Sequence, residues 1–173
     1  MGSQMPILSA LIWLPILGGL LSFLLGDRRA GTAKYLALGV AIASFILSIK
    51  LYLGLDQSLP DMQFTELMPW LPAFNINYRL GVDGISVALI MLTTFTTILV
   101  LLSSWSSIEN RTHQYFAAML VLEGLMIGVF SSLDAILFYI FFEGMLIPMF
   151  IIIGIWGGPN RVYASIKFFL YTF

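Results

Sequence analysis

The sequence predicts an all-α fold, a polytopic bundle of helices that span a membrane. Hydrophobic residues make up 60% of the 173 residues, and charged residues only 10%, against roughly 25% in ordinary soluble domains. The apolar residues also occur in continuous runs about twice as long as the roughly 10-residue alternating strands of a membrane β-barrel. Composition and run length together therefore exclude a soluble domain and favour spanning helices over a barrel.

The positions of the spans follow from the length that a membrane requires. A helix needs about 20 apolar residues to cross a hydrocarbon core of about 30 Å. The predicted spans are residues 6–25, 35–55, 84–104, 115–132 and 135–156, with a sixth from 168 onward. Because the sixth run has barely begun at Phe173, residues 1–173 are expected to be the N-terminal part of one integral membrane domain of a longer protein.

Orientation is predicted from the basic residues, which accumulate in cytoplasmic or matrix loops. Six of them follow the first, third and fifth spans, and two lie near the loop after the second. The first group is Arg28, Arg29, Lys34, Arg111, Arg161 and Lys167, and the second is Lys50 and Arg79. This asymmetry places the N-terminus outside.

The one long connection, residues 56–81, contains three prolines and several aromatic residues. Proline disfavours a helix interior, and aromatic side chains concentrate at membrane–water interfaces. The sequence predicts a loop at the outer interface. Asp134 directly precedes the fifth span, where an N-cap residue would stand.

Cofactor chemistry is restricted by the absence of cysteine and by the single histidine, His113. Iron–sulfur clusters and disulfides need thiolates, and a bis-histidine haem needs two imidazoles. We therefore expect this chain to bind no metal or redox cofactor. His113 lies between Glu109, Arg111 and the fourth span, so a solvated imidazole is expected. The net charge of −1 also argues against a nucleic-acid partner.

Glu123 and Glu143 are the candidate functional residues, because each lies inside a predicted span. A carboxylate in hydrocarbon costs about 2.5–3.5 kcal/mol, so such residues usually face protein or water and have a function. The two glutamates lie equally far from the short turn around Leu133. Antiparallel helices would therefore place them at nearly the same depth, facing each other, in an arrangement suited to taking up and releasing protons.

A structural role is the alternative for both residues. Glu143 could form a static ion pair with a lysine outside this sequence, and Glu123 could pack against lipid or protein. Pro148 favours a functional role for Glu143, since proline cannot donate to the carbonyl of Gly144 and bends the helix beside the buried charge. Bent helices near buried charges recur in transporters.

Three motifs in order carry a resemblance to a known family. They are LGVDGIS at 80–86, FFEGMLIPM at 141–149 continuing into IGIWGG at 153–158, and YASIKFFLYT at 163–172. Together they resemble the antiporter-like subunit M family, called subunit 4 in mitochondria, of proton-pumping NADH:quinone oxidoreductase, respiratory complex I. The resemblance implies that this chain is about the first third of its protein. It also implies that Glu143 pairs with a lysine beyond Phe173, and that Glu123 occupies an acidic position of the fourth helix.

The function implied by the resemblance is proton translocation, coupled to electron transfer in other subunits. The chain would be a non-redox subunit of the oxidoreductase, inactive by itself. Its partners would be the other membrane and peripheral subunits of complex I, the lipid bilayer and protons. The expected location is the bacterial inner membrane, with the mitochondrial inner membrane as the alternative. Two other functions stay open, a subunit of a multi-subunit sodium/proton antiporter and a non-transporting membrane scaffold.

Overall fold

The computed structural model describes residues 6–173 and contains six α-helices and one β-hairpin. The helices are α1 (Ile7–Leu24), α2 (Ala30–Leu53), α3 (Gly84–Ser103), α4 (Thr112–Ser131), α5 (Ala135–Trp156) and α6 (Arg161–Thr172). The strands are β1 (Gln63–Leu71) and β2 (Ile76–Val82). Helices α1 to α5 are each long and apolar enough to cross a membrane. The predicted all-α bundle with five spans is confirmed.

Helix α4 lies at the centre of the bundle, in contact with α1, α2, α3 and α5. Its contact with α1 is close because glycines line it. A Cβ atom at Gly19 would lie 2.8 Å from the carbonyl oxygen of Ala117, and one at Gly124 would lie 2.5 Å from that of Ile12. Small residues allow helix backbones to approach in this way, and such packing stabilises helix pairs in lipid.

Helix α2 contributes a buried stripe of small side chains, Ala33, Ala37, Ala41, Ser44 and Ser48. This spacing of three or four residues places them on one helix face. The Ser48 hydroxyl lies 2.9 Å from that of Thr94 in α3. The stripe therefore joins α2 to its neighbours through close packing and one buried interhelical hydrogen bond.

Aspartate side chains cap the N-termini of helices α3 and α5. Asp83 accepts a hydrogen bond from the Ser86 N–H at 2.7 Å, and Asp134 accepts from Ile136 and Leu137 at 2.9 and 3.2 Å. The hydrogen bonds from Ser86 hold the pKa of Asp83 below its ordinary value. The predicted N-cap at Asp134 is confirmed, as expected for a carboxylate at a helix N-terminus.

The connection 56–81 contains the hairpin, which the sequence did not predict. Its strands pair antiparallel, with Glu66 opposite Leu80 and Met68 opposite Tyr78. Pro69 lies within β1, and proline is tolerated there because every strand of a two-stranded sheet is an edge strand. Leu80 also forms an isolated bridge with Ser132, so the hairpin contacts the α4–α5 turn.

The start of the sixth helix differs from the prediction of residue 168. Helix α6 begins at Arg161. The prediction missed this start because the first two turns carry Arg161 and Lys167 on exposed faces and so contain no continuous apolar run. Helices α2 and α4 likewise begin five and three residues before the predicted spans, at Ala30 and Thr112. When the first turn of a helix contains polar residues, a search for continuous apolar runs places the start of that helix too late.

The expectation of a solvated His113 is wrong. The residue is only 6% exposed, and its Nδ1 atom lies 2.8 Å from a carboxylate oxygen of the exposed Asp27. The Phe23 ring covers it, with ring centroids 6.0 Å apart. The charged neighbours in sequence belong to the α3–α4 loop, whereas the first turn of α4, which carries His113, packs against the α1–α2 connection.

Candidate functional site

Glu123 is the most deeply buried acidic residue of the described chain. Its side chain lies in the middle of α4 and is 1% exposed. Neither carboxylate oxygen has a hydrogen-bond partner among residues 6–173. A buried polar group without partners is costly, so its persistence here requires an explanation beyond packing.

The orientation of Glu123 follows from its neighbours on α4. Gly124 packs against Ile12 and Ile16 of α1, and Leu125 lies against Gly144 of α5. Since successive helical residues are rotated by about 100°, Glu123 is directed away from α5. It lines a groove of about 330 Å³ between α3 and α4.

The groove is mostly apolar and contains a row of threonines. Besides Glu123, the polar residues that line it are Thr93, Thr96 and Thr97. The hydroxyl of Thr93 donates to the carbonyl of Leu89 at 2.8 Å, and that of Thr97 donates to the carbonyl of Thr93 at 2.9 Å. The lone pairs of these hydroxyl oxygens can still accept hydrogen bonds. The groove therefore offers acceptors to a protonated carboxyl group or to water. The spacing of three and four residues in TTFTT was the available sequence signal for it.

Glu143 lies on a different face of the bundle. It is half-buried in α5, and its Oε2 atom is buried without a hydrogen-bond partner. Phe150 and Gly154, seven and eleven residues later, contact Phe169 and Ser165 of α6. These intervals bring the helix back to within about 20° of the same direction, so Glu143 lies on the face of α5 that packs against α6.

The two glutamates are nearly level, but they do not face each other, contrary to the prediction from the sequence. Leu125 packs at Gly144, and Phe141 packs at Gly128. This register places Glu143 level with Met126, an axial offset from Glu123 of about 4.5 Å. The predicted similarity of depth therefore agrees with the register. The facing arrangement is wrong because Glu123 points to α3 and Glu143 to the α6 side.

Pro148 lies buried within α5, which continues as one helix from Ala135 to Trp156. Proline has no N–H, so it leaves the carbonyl of Gly144 without its normal helical donor. That carbonyl belongs to the residue next to Glu143. An acceptor without its backbone donor and a partly buried carboxyl group therefore lie side by side.

Two family models match the chain in succession. Residues 32–132 match the amino terminus of NADH-ubiquinone oxidoreductase chain 4, and residues 132–173 match the transmembrane region described as NADH:quinone oxidoreductase/Mrp antiporter. The chain belongs to the chain 4/subunit M family. The resemblance noted in the sequence is thereby confirmed.

Curated relatives agree with the subunit M assignment. The chain is 51% identical over 148 residues to NADH-quinone oxidoreductase subunit M of Rhodobacter capsulatus, covering 86% of this chain and 28% of the relative. It is 43% identical over 166 residues to NADH-ubiquinone oxidoreductase chain 4 of Arabidopsis thaliana, covering 95% and 34%. The chain thus spans about a third of the length of these relatives.

Solved structures show the same fold. Respiratory complex I from Thermus thermophilus with bound NADH contains a chain that matches with a TM-score of 0.79 and 30% identity, covering 96% of this chain and 32% of that one. The Mrp complex from a Dietzia species matches with a TM-score of 0.77 over 94% of this chain and 17% of that one. At 16% identity the second match shows the fold alone. This subunit M family member is thus a multi-pass membrane protein.

Residues 6–173 of this family member contain no group of three or more His, Cys, Asp or Glu side chains that could hold a metal ion. The expectation that the chain binds no cofactor stays a prediction. The acidic residues within its membrane-spanning helices are Glu123 and Glu143, whereas Lys34 and His113 lie near the starts of α2 and α4 and the exposed Lys50 lies near the end of α2. The candidate site therefore consists of these two carboxyl groups.

Proposed function

We propose that this chain is the N-terminal part of a proton-translocating membrane subunit of NADH:quinone oxidoreductase. It would couple electron transfer in other subunits to proton movement through buried glutamates. The observation that carries the proposal is the carboxylate of Glu123, buried in the central helix with both oxygens unpartnered. Glu143, with one buried and unpartnered oxygen at nearly the same level, supports it.

The chemistry requires a carboxyl group that changes protonation. An ionised carboxylate at this depth costs about 2.5–3.5 kcal/mol, and the cost falls when the group takes a proton or meets a cation. A neighbouring charge that approaches or withdraws would therefore make each glutamate bind or release a proton. Glu143 would act as the coupling carboxylate on the α6 side. Glu123 would act as a second acceptor at the α3–α4 groove.

The relatives support a proposal about partners and location. Their names are those of NADH-quinone and NADH-ubiquinone oxidoreductase subunits. We propose that other membrane and peripheral subunits hold the electron carriers, and that this chain contributes no redox centre. A bacterial inner membrane is the proposed location, with the mitochondrial inner membrane as the alternative and the N-terminus outside.

The test replaces Glu143 by Gln in the full-length protein within its native membrane. NADH-driven proton uptake and NADH:quinone electron transfer are measured together, and assembly is checked by copurification. Both activities should collapse while the complex still assembles. Glu123→Gln should lower both as well, and Asp61→Asn, at an exposed position of the connection between α2 and β1, is the charge-matched control. Unchanged activity in Glu143→Gln would identify a packing or pairing residue and support a scaffold.

A second candidate function is a subunit of a sodium/proton antiporter. The matched description of residues 132–173 includes Mrp antiporters, and the Mrp complex shares the fold. Both functions would use the same glutamates, so the mutations above do not separate them. Purification from the native membrane does: NADH-oxidising subunits should accompany this chain. Their absence, together with sodium-dependent proton exchange, would favour the antiporter.

A further inference from the structure

A polar pocket of about 560 Å³ lies at the end of the bundle opposite the hairpin. It is formed where the α3–α4 loop meets the turn between α5 and α6. The Trp156 indole N–H donates to the carbonyl of Asn110 at 2.9 Å and holds the two segments together. The pocket-lining residues that matter for recognition are Glu109, Asn110, Arg111, Trp156 and Arg161.

Two arginines from separate elements line this pocket. Arg111 precedes α4 with a φ of 49°, in the left-handed region, and Arg161 is the first residue of α6. Within residues 6–173 the only ion pair within 4.0 Å joins His113 to Asp27. Neither guanidinium is therefore neutralised by a described carboxylate, although Glu109 also lines the pocket. Arginine forks suit phosphate oxygens.

The N-termini of two helices lie beside the pocket. Helix α4 begins at Thr112 and α6 at Arg161, and neither helix has a side-chain cap hydrogen bond at its N-terminus. The first N–H groups of a helix lack partners within that helix, and the helix dipole favours an anion beside them. The Arg161 N–H already donates to the carbonyl of Gly158 at 3.1 Å, so the two guanidinium groups are the donors complementary to an oxyanion, and the two helix dipoles add to the positive field at the pocket.

The charge distribution indicates where the anion comes from. The pocket end of the bundle carries six basic side chains and only two carboxylates, those of Asp27 and Glu109. The hairpin end carries two basic side chains and five carboxylates. Trp156 lies at the end of a membrane-spanning helix, as interfacial tryptophans do. The pocket is therefore at headgroup depth on the side of the protein that attracts anionic lipid.

We propose that this pocket binds the phosphate headgroup of an anionic phospholipid, held by Arg111 and Arg161. The lipid would lie between the α3–α4 loop and the α5–α6 turn and fix the position of α6 against α5. The site is separate from Glu123 and Glu143, so it does not depend on their role in proton transport.

The experiment measures lipid binding to the purified full-length complex in phosphatidylcholine nanodiscs, with and without phosphatidylglycerol. Native mass spectrometry counts the phosphatidylglycerol molecules retained. The variant is Arg111→Gln/Arg161→Gln, and the matched control is Arg28→Gln/Arg29→Gln, which removes two charges from the same end outside the pocket. Two lost phosphate contacts should weaken binding at this site by about thirtyfold.

Four further results decide the proposal. Arg111→Lys/Arg161→Lys keeps both charges and should retain most of the affinity, which separates lost charge from misfolding. Glu109→Gln should strengthen binding, because it removes the one carboxylate from the pocket. Equal lipid loss in the variant and the control would overturn the proposal, as would displacement of the lipid by millimolar inorganic phosphate, which would indicate a site for the free anion.

Discussion

The carboxylate of Glu66 in β1 caps helix α1 by accepting a hydrogen bond from the backbone N–H of Leu8 at 2.9 Å. It also accepts from the N–H of Ser9 at 3.2 Å and from the Ser9 hydroxyl. The Ser9 hydroxyl in turn lies 3.0 Å from that of Tyr78 in β2. A residue nearly sixty positions away thus supplies the N-terminal cap that α1 lacks in its own sequence.

We predict that Glu66→Ala lowers the stability of the protein by about 1 kcal/mol, the usual cost of losing a helix cap. Thermal unfolding in detergent micelles measures this loss. Hydrogen exchange should also increase in the first turn of α1. Asp61→Ala is the control, since Asp61 is exposed, and it should leave both measurements unchanged. Equal stability of the two variants would show that the cap contributes nothing.

The α1–α4 contact gives a second prediction. In Gly124→Ala the new Cβ would lie 2.5 Å from the carbonyl oxygen of Ile12, so the helices must separate. We expect a loss of stability of about 1–3 kcal/mol, as for other overpacked sites. Gly39→Ala is the matched control, because its Cβ would meet nothing within 4 Å. A Gly124→Ala protein as stable as the control would contradict the close helix contact.

Pro148 provides a test of the acceptor beside Glu143. Pro148→Ala restores an N–H that can bond to the carbonyl of Gly144. We expect NADH-driven proton uptake to fall while the complex still assembles. Pro15→Ala makes the same change in α1, where no charged residue lies within a turn. Proton uptake should be unaffected there, and an equal effect of both substitutions would attribute the change to helix geometry in general.

We predict that acid weakens the junction between the hairpin and the N-terminus of α5, where Asp134 lies. The backbone N–H groups of Leu137 and then Asn77 hold its pKa below the ordinary value. A lowered folded-state pKa means that the ionised cap stabilises the fold fully above the unfolded value of about 3.9. This contribution is lost as the pH falls through the lower folded-state pKa. Unfolding curves recorded between neutral pH and pH 3 should show the loss in the parent protein.

The matching variant is Asp134→Asn, which keeps a capping amide oxygen but does not titrate. Its stability should be lower at neutral pH and should change less on acidification. Asp61→Asn should follow the parent protein at every pH. If Asp134→Asn and the parent lost the same stability on acidification, other carboxylates would be responsible.

The spans could be predicted because lipid imposes a length and an apolar composition on every helix. The burial of Glu123 follows from the same cost, since an ionisable group in a span is expected to face protein. Its direction could not be predicted, because the face that a helix turns to each neighbour depends on packing. The glycines of α4 decide that direction: Gly124 admits α1 and Gly128 admits Phe141.

Long-range contacts account for the other differences. Pro69 suggested an irregular loop, yet it is compatible with β1 because the strand is at an edge. The surroundings of His113 depend on Asp27 and Phe23, which lie nearly ninety residues earlier in the sequence. Such pairings become visible only when the helices are assembled.

The hairpin connects α1 with the distant α4–α5 turn. Glu66 holds it to α1, while Asp134 accepts from the Asn77 N–H at 3.2 Å and Leu133 donates to the carbonyl of Arg79 at 2.9 Å. One end of α5 is thereby anchored to the hairpin, and its other end is held to the α3–α4 loop by the Trp156–Asn110 hydrogen bond before the chain continues into Gly157 and the exposed Gly158. A rigid tilt of α5 about Asp134 would move Glu143 through a short arc and the α5–α6 turn through a longer one, so it would require the Trp156–Asn110 hydrogen bond to break.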